Sequence, residues 1–573
     1  MLSGDHGERL AQARALRDSE RLAEALEAFA QLLRLAPEAA QAWQEFGELL
    51  ENTGNLGRAV QAYRRCAELA PDDITCRSRL GHLLRNMSLP EEAIHWHGEA
   101  LRLHPSSLVL RLNHAFVLPV VPTSLAQLEG LRRRCEQELE AICADVDPLD
   151  LDILPEHVWT CHPYYLLYQN HNDRPLLERY GRLMGHYYGD GRSVPSTDWN
   201  GQRRLRIGFL SAYFYEHSNA RAFEGLLRHL DRQRFAPVLI HAASPRHDAV
   251  SEQLEGCCEQ VLHLAPDLKA GSAALRALDL DLLFFTDIGM HPMVTALACQ
   301  RLAPLQVTGW GVPCTSGLTH IDAYLSGEAA EPPQAQDHYS ETLIRLPGLP
   351  CCYLSENIRP EPLPRDWFLL PPDEPLFGCL QPFQKFHPDF DAVLEALARE
   401  VPEAWFVLVE DRVTSLSAIY LDRLAETAPT ARERIVLLAR MALPQFQALA
   451  ACLDVLLDPL HFSSGISFYE TIHAGTPTVT LEGRFLRNRF VAGAYRLMGV
   501  ENPPIAGSIE EYVALAAGLM RDPDRRERLR REIREKAQSR LYDRLDYVRG
   551  FEDFVIDAIR APESLRSPRE SPP

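Results

Sequence analysis

AQAWQEFGELLENTGNLGRAVQAYRRCAELAPDD, residues 40–73, is followed at once by ITCRSRLGHLLRNMSLPEEAIHWHGEALRLHPSS, residues 74–107, and both segments carry similar residues at the same positions. Small residues recur where two helices would cross closely, apolar residues line the seam, and proline closes each unit. This 34-residue period predicts stacked helix pairs that leave a concave groove for an extended peptide or a partner surface. The residues in phase are Phe46 and Leu80, Gly47 and Gly81, Ala59 and Ala93, and Pro71 and Pro105; one period earlier stand Ala25, Phe29 and Pro37.

The period resembles the tetratricopeptide repeat, which we assign to residues 1–123. Ordinary amphipathic helices with accidental spacing are the alternative, but chance rarely puts glycine and proline on one common period. Residues 124–200 keep a helical pattern without the period and are predicted to form a helical collar.

The composition limits the classes of function that the chain can have. A length of 573 residues exceeds what one hydrophobic core supports, so several domains are expected. A formal net charge of −20 argues against a nucleic-acid partner, which would require a basic face. The thirteen cysteines include no C-x-x-C pair and are predicted to be small core residues in a reducing compartment.

Targeting and membrane-spanning segments are not evident in the sequence. The first residues lack the basic and then apolar pattern of a secretory signal, and no apolar run approaches about eighteen residues. We therefore expect a cytoplasmic protein with no membrane partner. Residues 559–573 are rich in proline, serine and charge and are predicted to be a disordered tail.

After residue 200 the pattern changes to short apolar runs that alternate with helical stretches. Continuous apolar strands separated by amphipathic helices predict parallel sheets that are covered on both faces. We expect two Rossmann-like domains, residues 201–365 and 366–558, with a cleft between the carboxyl edges of their sheets. The predicted strands lie in residues 204–212, 235–244, 259–265, 280–287 and 303–311, and in residues 375–383, 404–411, 434–440, 454–460 and 476–483.

A cleft of this kind binds nucleotides, but the usual phosphate-binding motifs are missing from the sequence. Neither domain carries G-x-G-x-x-G after its first strand, and G-x-x-x-x-G-K-[ST] does not occur. The sequence therefore lacks the motifs that would indicate a dinucleotide oxidoreductase or a P-loop phosphotransfer enzyme. A nucleotide sugar is the natural candidate ligand.

The strongest local signal is DPLHFSSGISFYETIHAGTPTVT, residues 458–480, which predicts a strand end, a Ser/Gly loop and a helix that begins near Ser467. N–H groups at a helix start favour an anionic diphosphate, and Glu470 is spaced to accept hydrogen bonds from a ribose. The helix dipole contributes only about 0.3–1 kcal/mol per charge, so a cation is also needed. Lys385, after the first strand of the same domain, is the candidate; alternatively it is a solvated loop lysine.

Two segments of the first Rossmann-like domain are further candidates. His217, in SAYFYEHSNAR, is a candidate donor contact or proton acceptor, although a lone loop histidine is often only a surface residue. In GWGVPCTSG, residues 309–317, glycines let the backbone approach a ligand, and Thr315 and Ser316 offer hydroxyls and amides. The alternative is a tight loop after a strand.

These segments together resemble the O-linked N-acetylglucosamine transferase and SPINDLY family, glycosyltransferase family 41, and in particular its bacterial branch. The resemblance covers about residues 6–550 and rests on RLRIGFLSAYFYEHS (204–218), GWGVPCTSG with HYSETLIRLPG (338–348), and residues 458–490. It implies tetratricopeptide repeats joined to two Rossmann-like domains in the GT-B arrangement.

The resemblance also implies roles for individual residues. His217 matches the family's active-site histidine beside the donor, and Lys385 matches the lysine that contacts the diphosphate, so both are predicted to be catalytic. Glu470 matches the acidic residue on the ribose, and Ser467 falls near the hydroxyls that cap the phosphates. The complete predicted donor-binding set is Pro313, Thr315, Ser316, Gln381, Lys385, Phe446, Ser464, Gly465, Ser467 and Glu470.

Several positions depart from the family pattern. Residues 381–382, Gln-Pro, stand where animal members have Asn and Gln, and Ser463 and Ser464 stand where many bacterial relatives have glycines. Phe446 replaces a histidine that animal members place near the nucleotide base, so we expect base recognition by stacking on its ring. The identity of the base is thereby left open, since one plant branch uses GDP-fucose.

By resemblance, the expected reaction is inverting transfer of a sugar, most simply GlcNAc from UDP-GlcNAc, to Ser or Thr hydroxyls of a protein held by the repeats. Lys385 and the helix start would neutralise the departing diphosphate, so no metal and no other cofactor are expected. The D-x-D spellings at residues 150–152 and 279–281 are discounted, because the first falls in the collar and the second precedes a buried strand. His217 either deprotonates the acceptor or positions the donor.

Other functions remain open at this stage. GDP-fucose is an alternative donor. Transfer of glucose from UDP-glucose to asparagine is an alternative reaction, and a flagellin- or lipid-directed transferase is another. A repeat scaffold whose catalytic half has decayed is an alternative of another class, favoured by the Ser-for-Gly and Pro382 departures. The acceptor protein, the donor sugar and the oligomeric state do not follow from the sequence.

Overall fold

A computed structural model describes residues 4–145, 162–194, 199–243 and 246–565 of the chain. The chain divides into two compact units, the first formed by residues 1–120 with 128–163 and the second by residues 121–127 with 164–573. The predicted collar is thus divided between the units. The D-x-D spelling at residues 150–152 and the tail beyond residue 565 lie outside the described residues.

Helix pairs with the predicted spacing build the first unit. Gly47 lies against the ring of Tyr63, and Gly81 lies against the ring of His97 one repeat later. A Cβ atom at these glycines would come within 2.8 Å and 2.7 Å of the rings, so the missing side chain is what lets the two helices of each pair approach. The helices are α1 (Gly4–Asp18), α2 (Leu22–Leu35), α3 (Ala40–Asn52), α4 (Leu56–Leu69), α5 (Ile74–Asn86), α6 (Pro90–Leu103), α7 (Leu108–Ala115) and α8 (Leu125–Ala144), of which α8 starts in the second unit.

Two of the cysteines are paired, which corrects the expectation that all thirteen are small core residues of a reducing compartment. Cys66 in the last turn of α4 and Cys76 in the first turn of α5 form a disulfide across a sequence separation of 10 residues. The turn between consecutive repeats brings them together, and no C-x-x-C spacing announces the pair. The disulfide links neighbouring repeats, and the interpretation of a reducing compartment loses this part of its support.

The first Rossmann-like domain alternates strands and helices. One helix of the predicted collar, α9 (Arg174–Tyr188), precedes the domain. The helices of the domain are α10 (Ser218–His229), α11 (Ala249–Glu255), α12 (Leu268–Ala277) and α13 (Pro292–Ala298). Its strands are β1 (Leu205–Ser211), β2 (Phe235–Ala242), β3 (Gln260–Leu264), β4 (Leu282–Phe285), β5 (Leu305–Gly309), β6 (Ala323–Gly327) and β7 (Thr342–Leu346). Over the described residues the sheet is parallel, in the order β3-β2-β1-β4-β5-β6-β7. The five predicted strands are confirmed, whereas β6 and β7 were not predicted because AYLSG and TLIRL are short runs interrupted by polar or small residues.

The second Rossmann-like domain repeats this construction. Its strands are β8 (Leu376–Cys379), β9 (Trp405–Val409), β10 (Ile435–Leu438), β11 (Val455–Leu457), β12 (Thr478–Leu481) and β13 (Ile505–Ala506), and its helices are α14 (Pro388–Glu400), α15 (Thr414–Thr427), α16 (Pro429–Arg432), α17 (Leu443–Cys452), α18 (Ile466–Ile472), α19 (Phe490–Met498), α20 (Ile509–Arg521), α21 (Pro523–Arg540) and α22 (Leu545–Arg560). The strands are parallel, in the order β10-β9-β8-β11-β12-β13 within the described chain. The two-residue strand β13 was not predicted.

The last helix returns to the first sheet. Phe551 of α22 packs with its ring centre 6.2 Å from that of Phe209 and 6.0 Å from that of Phe284, inside the first domain's core. Glu552 accepts a hydrogen bond from the backbone N–H of Asp231 at 2.7 Å. The segment predicted as the second domain therefore contributes its final helix to the first.

These elements confirm the predicted fold class, an α-helical repeat array followed by two parallel α/β domains. In both sheets the strand order reverses beside the first strand, β1 or β8, and ligands of such sheets bind at the carboxyl end of the strands near that reversal. The loops after β1 and β8 are therefore the first places to look for a site. None of the helices in the described part of the chain is long and apolar enough to cross a membrane.

We predict that Gly47→Ala destabilises the first unit by about 1–3 kcal/mol, because the added Cβ would overlap the buried Tyr63 ring. Hydrogen–deuterium exchange of the full chain, resolved by peptide, should show faster exchange in α3 and α4. Gly57→Ala in α4 is the matched control, since no described atom beyond its chain neighbours and the backbone of its own helix lies within 4 Å of a Cβ added there. Equal exchange in the two variants would contradict the packing argument.

Candidate functional site

Lys385 lies in the loop that follows β8. Its Nζ donates to Gln381 Oε1 at 2.8 Å and to the Ser463 carbonyl at 2.9 Å, and it lies 4.8 Å from the centre of the Phe462 ring. Burial lowers the pKa of Lys385 to about 8, although the nearby Asp458 carboxylate opposes the shift. The side chain is therefore a cation at neutral pH that is held in a poorly solvated place.

Lysine is a rare residue in this chain. Lys269, Lys385 and Lys536 are the three lysines among 59 lysines and arginines. The pKa of a lysine responds to burial, whereas arginine keeps its charge in essentially every protein environment. The charge state of Lys385 therefore depends on its surroundings. The other two lysines are available as positions for control substitutions.

A buried carboxylate, Asp458, shapes the loop after β11. Its Oδ1 accepts from the Ser464 N–H at 2.8 Å and from the Ser464 hydroxyl at 2.5 Å, and its Oδ2 accepts from the hydroxyls of Ser463 and Thr480 at 2.7 Å each. Burial raises the pKa of Asp458, and these hydroxyls together with Lys385 oppose that rise. The Ser464 hydroxyl, a predicted donor contact, is therefore bound to Asp458. Asp458 was not predicted as a site residue, although a carboxylate directly after an apolar strand was a usable signal.

The loop after β8 is hydrogen-bonded to the start of α18. Gln381 Nε2 donates to Ser467 Oγ at 2.7 Å, so Lys385, Gln381 and Ser467 form one connected chain of polar groups. Helix α18 begins at Ile466, close to the predicted start, and Gly465 precedes it with a φ of 39°. The structure therefore brings together those predicted donor-binding residues that lie in the loops after β8 and β11 and at the start of α18.

The two sheet domains meet through a buried ion pair and an aromatic stack. Arg221 of α10 donates to Glu470 Oε1 at 3.0 Å, with the side chains only 16% and 8% exposed. Burial raises the pKa of Glu470, and the charge of Arg221 opposes that rise. The indole of Trp310 stacks on Phe490 at 4.6 Å between ring centres. The predicted ribose-binding carboxylate is thus oriented by an arginine that was not predicted, although its place one turn after His217 was a signal.

His217 is the N-cap of α10, at the carboxyl end of β1. Its Nδ1 accepts the backbone N–H of Asn219 at 3.1 Å, so the neutral ring carries its proton on Nε2. The ring packs against Tyr213 with 4.8 Å between centres. Burial, reinforced by arginines including Arg221, lowers the pKa of His217 to about 4. At neutral pH the residue is therefore uncharged and offers an N–H donor.

The hydroxyls of the loop at residues 309–317 are directed into the protein. Glu341 accepts from the Thr315 hydroxyl at 2.6 Å and from the Ser316 N–H at 2.7 Å, and it also accepts from the Ser316 hydroxyl. Pro313 and Thr315 line a small pocket together with Arg487. The backbone of this loop is thereby held in one conformation by a buried carboxylate, Glu341, that was not predicted.

Phe446 lies in the first turn of α17, beside the carboxyl end of β10. Its ring is half-buried and packs against the core of the second domain. Stacking of a base on this ring stays a prediction.

A second polar cluster supports the Lys385 loop. His461 donates from Nε2 to Asp389 Oδ2 at 2.8 Å, and the same oxygen lies 3.3 Å from His387 Nδ1. The two histidines hold the pKa of Asp389 well below its usual range. The cluster joins the loop after β8 to the loop after β11, and the sequence offered no motif that pointed to it.

Comparisons with known proteins find similarity in the repeats and over a larger part of the chain. The tetratricopeptide repeat family matches residues 10–74. The probable UDP-N-acetylglucosamine–peptide N-acetylglucosaminyltransferase SPINDLY of Solanum lycopersicum is 26% identical over 406 residues, which are 68% of this chain and 41% of that protein. The UDP-glucose:protein N-beta-glucosyltransferase of Actinobacillus pleuropneumoniae serotype 7 is 24% identical over 264 residues, 44% of this chain and 40% of that protein. The chain thus spans about two fifths of the length of these curated relatives.

An O-GlcNAc transferase of Thermobaculum terrenum, solved in a mutant form, matches with a TM-score of 0.74. The match covers 98% of this chain and 100% of that chain at 22% identity, so it shows a shared fold. Together with the repeat match and the SPINDLY relatives, it confirms the resemblance that was drawn from the sequence motifs.

We predict that Arg221→Met destabilises the second unit by about 3–5 kcal/mol, because it leaves Glu470 buried and unpaired. Adding Glu470→Gln should recover part of this loss, and denaturant unfolding of the full chain measures both effects. Arg204→Met is the matched control, since Arg204 pairs with Glu259 where the side chains are 44% and 42% exposed, and it should cost at most about 1 kcal/mol. Additive effects of the two cleft substitutions would contradict direct coupling.

Proposed function

We propose that the chain is an inverting glycosyltransferase that moves a sugar from a nucleoside diphosphate to a protein side chain. UDP-GlcNAc is the proposed donor, and Ser or Thr hydroxyls of a protein held by the repeats are the proposed acceptors. The named activities of the SPINDLY relatives support this reaction class. The activity, the donor and the acceptor are all part of this proposal.

One observation carries it: the ammonium of Lys385 converges with Gln381 and Ser467 at the carboxyl edge of the second sheet. Departure of a diphosphate builds negative charge on its oxygens while the sugar becomes oxocarbenium-like. A cation in a poorly solvated site stabilises that charge more strongly than one in water. Lys385 therefore does the work that a metal ion performs in other transferases, and we expect no divalent metal at the diphosphate.

We assign His217 to positioning rather than to base catalysis. Its Nδ1 is occupied by the Asn219 N–H, so Nε2 carries the proton and is available to donate a hydrogen bond. A general base would need an acceptor nitrogen facing the acceptor hydroxyl. The Nε2–H is suited to a phosphate or sugar oxygen of the donor, and it would orient the donor without changing charge.

Glu470 is proposed to bind the ribose. Arg221 occupies Oε1, so a ribose hydroxyl would donate to Oε2 of the same carboxylate. The base would stack on the half-buried ring of Phe446. Stacking tolerates different bases, so these residues alone favour uracil and guanine about equally, and the choice of a UDP-sugar comes from the relatives' names.

Transfer of glucose to asparagine is the second candidate. The observation that favours it is the similarity to a UDP-glucose:protein N-beta-glucosyltransferase over 44% of this chain. Mass spectrometry with electron-based fragmentation of an acceptor protein distinguishes the two, because it locates the sugar on an oxygen of Ser or Thr or on the nitrogen of Asn. Modification of Asn alone would replace the proposed acceptor, and nucleotide-sugar binding without any transfer would favour a scaffold.

We predict that Lys385→Met weakens binding of UDP-GlcNAc and of UDP by about ten- to hundredfold, as expected for loss of a charge-assisted hydrogen bond. Calorimetry with the purified chain measures this. Transfer should fall by more than binding, because the charge on the diphosphate is largest in the transition state.

Lys269→Met is the matched control, since it removes a lysine that is exposed on α12. It should leave both binding and transfer unchanged. If Lys385→Met and Lys269→Met bind UDP-GlcNAc equally well, the ammonium does not contact the diphosphate and the proposal fails.

We predict a pH profile that is nearly flat from about pH 5 to pH 7, about one unit or more from either relevant pKa, and that declines as the pH rises through about 8. The pKa of Lys385 is about 8, so the ammonium is present below that pH and is lost above it. The pKa of His217 is about 4, so its protonation affects only the acidic end. The measurement is kcat/KM for the donor as a function of pH.

Lys385→Met should be slow at every pH and should lack the alkaline decline. A decline that persists in this variant would assign the titration to another group. In the wild-type chain, a fall of kcat/KM on the acidic side with a midpoint near neutral pH would contradict the neutral state proposed for His217.

A further inference from the structure

A cluster of three histidines and one glutamate lies at the edge of the first sheet, outside the residues proposed to bind the donor. His241 is near the carboxyl end of β2, and His263 is its register partner on β3. His247 precedes α11, and Glu255 is the last residue of that helix. The four residues form no ligand-spacing motif, so nothing in the sequence pointed to them as a group.

The four side chains converge on one carboxylate oxygen. Glu255 Oε1 lies 3.1 Å from His241 Nε2, 3.0 Å from His247 Nε2 and 3.4 Å from His263 Nε2. Two ligand atoms at about 2.0–2.1 Å from a tetrahedral Zn²⁺ are about 3.3 Å apart. These separations from the carboxylate oxygen match those expected between ligands of one ion, and the ligand atoms of His241, His263 and Glu255 all lie within 4.8 Å of one another.

Hydrogen bonding does not account for the cluster. His247 hydrogen-bonds to Glu255, whereas the 3.1 Å contact between His241 Nε2 and the same oxygen lacks hydrogen-bond geometry. Over the described residues, neither ring nitrogen of His241 therefore has a hydrogen-bond partner. The His241 side chain is only 1% exposed, and a buried polar group without a partner is costly. Its ring stacks on that of His263 at 4.5 Å and 4°. An ion on Nε2 would satisfy His241 once the exposed His263 ring tilts toward it.

We propose that His241, His263 and Glu255 form a binding site for a divalent transition metal, with Zn²⁺ as the preferred ion, and that His247, which contacts Glu255, supplies the fourth ligand once its ring turns toward the ion. Three imidazoles and one carboxylate are a donor set that suits Zn²⁺, whereas Mg²⁺ and Ca²⁺ select oxygen ligands. Burial lowers the pKa of His241 to about 4, so this ligand is neutral at physiological pH. With His247 as the fourth ligand the coordination sphere would be closed, as in structural zinc sites.

The site bears on the first domain's cleft through α11. At the start of this helix Asp248 accepts the backbone N–H of Glu216 at 2.9 Å, and the Ser251 hydroxyl donates to the Phe214 carbonyl at 2.8 Å. Both contacts hold the loop after β1, which also carries the N-cap histidine of α10. Because the helix ends in a metal ligand, the ion stabilises that loop from the far end of α11.

The test uses the full chain without a histidine tag, stripped with a chelator and titrated with Co²⁺ as a spectroscopic probe. We expect one Co²⁺ per chain with the visible absorption of a tetrahedral ion, displaced by Zn²⁺. Zn²⁺ should also slow hydrogen exchange in α11 and in residues 211–217. His263→Ala and His247→Ala should each weaken Co²⁺ binding at least about tenfold. Both residues are exposed, with 59% and 47% of the side chains accessible, so the variants should fold.

His186→Ala, which removes an exposed histidine of α9, is the matched control and should bind as the wild-type chain does. Absence of stoichiometric binding would overturn the proposal, and so would binding that is unchanged in His263→Ala. His387, Asp389 and His461 form another group whose ligand atoms lie together. Binding that is lost in His461→Ala and retained in His263→Ala would assign the ion to that group and overturn the proposal as well.

Discussion

The geometry of the candidate site around Lys385 depends on one buried carboxylate, that of Asp458. Four hydrogen bonds from Ser463, Ser464 and Thr480 converge on its two oxygens and fold the loop after β11 into a single conformation. That conformation presents the Ser463 carbonyl to Lys385, and the charge of Asp458 helps to keep the ammonium protonated although the side chain is largely buried. Without an anion nearby, burial would drive this lysine further toward its neutral form and the site would lose its cation.

The candidate site also requires that the two sheets face each other. Both place their candidate groups beside the first strand, where the strand order reverses, so the loops after β1 and β8 open at corresponding edges. The Arg221–Glu470 pair and the stack of Trp310 on Phe490 hold the edges together, and α22 anchors the second half of the chain in the first domain's core. The Glu470 carboxylate therefore makes a contact between the two domains and is also the proposed ribose contact.

The fold could be predicted where the signal was local. The 34-residue period predicted Gly47 and Gly81 as the points of closest helix approach, and apolar runs predicted ten strands with their parallel arrangement. The short strands β6, β7 and β13 were missed because a few residues carry too little pattern. The sequence also did not predict the hydrogen-bond acceptors of the hydroxyls. Ser464 donates to Asp458, and Thr315 and Ser316 donate to Glu341. Which buried acceptor a hydroxyl meets depends on residues distant in sequence.

The sequence by itself determined that this chain has a helical repeat array and two doubly wound domains, because periodicity and apolar runs act over a few residues. It also nominated Lys385, Glu470 and His217 by their places after strands and at helix starts. Only the tertiary structure decided their chemical states: a lysine with a pKa of about 8, a carboxylate paired with Arg221, and a neutral histidine that donates from Nε2. It likewise decided that Cys66 meets Cys76 and that three histidines meet Glu255. Burial and long-range pairing set these properties, and neither is encoded in any local run of residues.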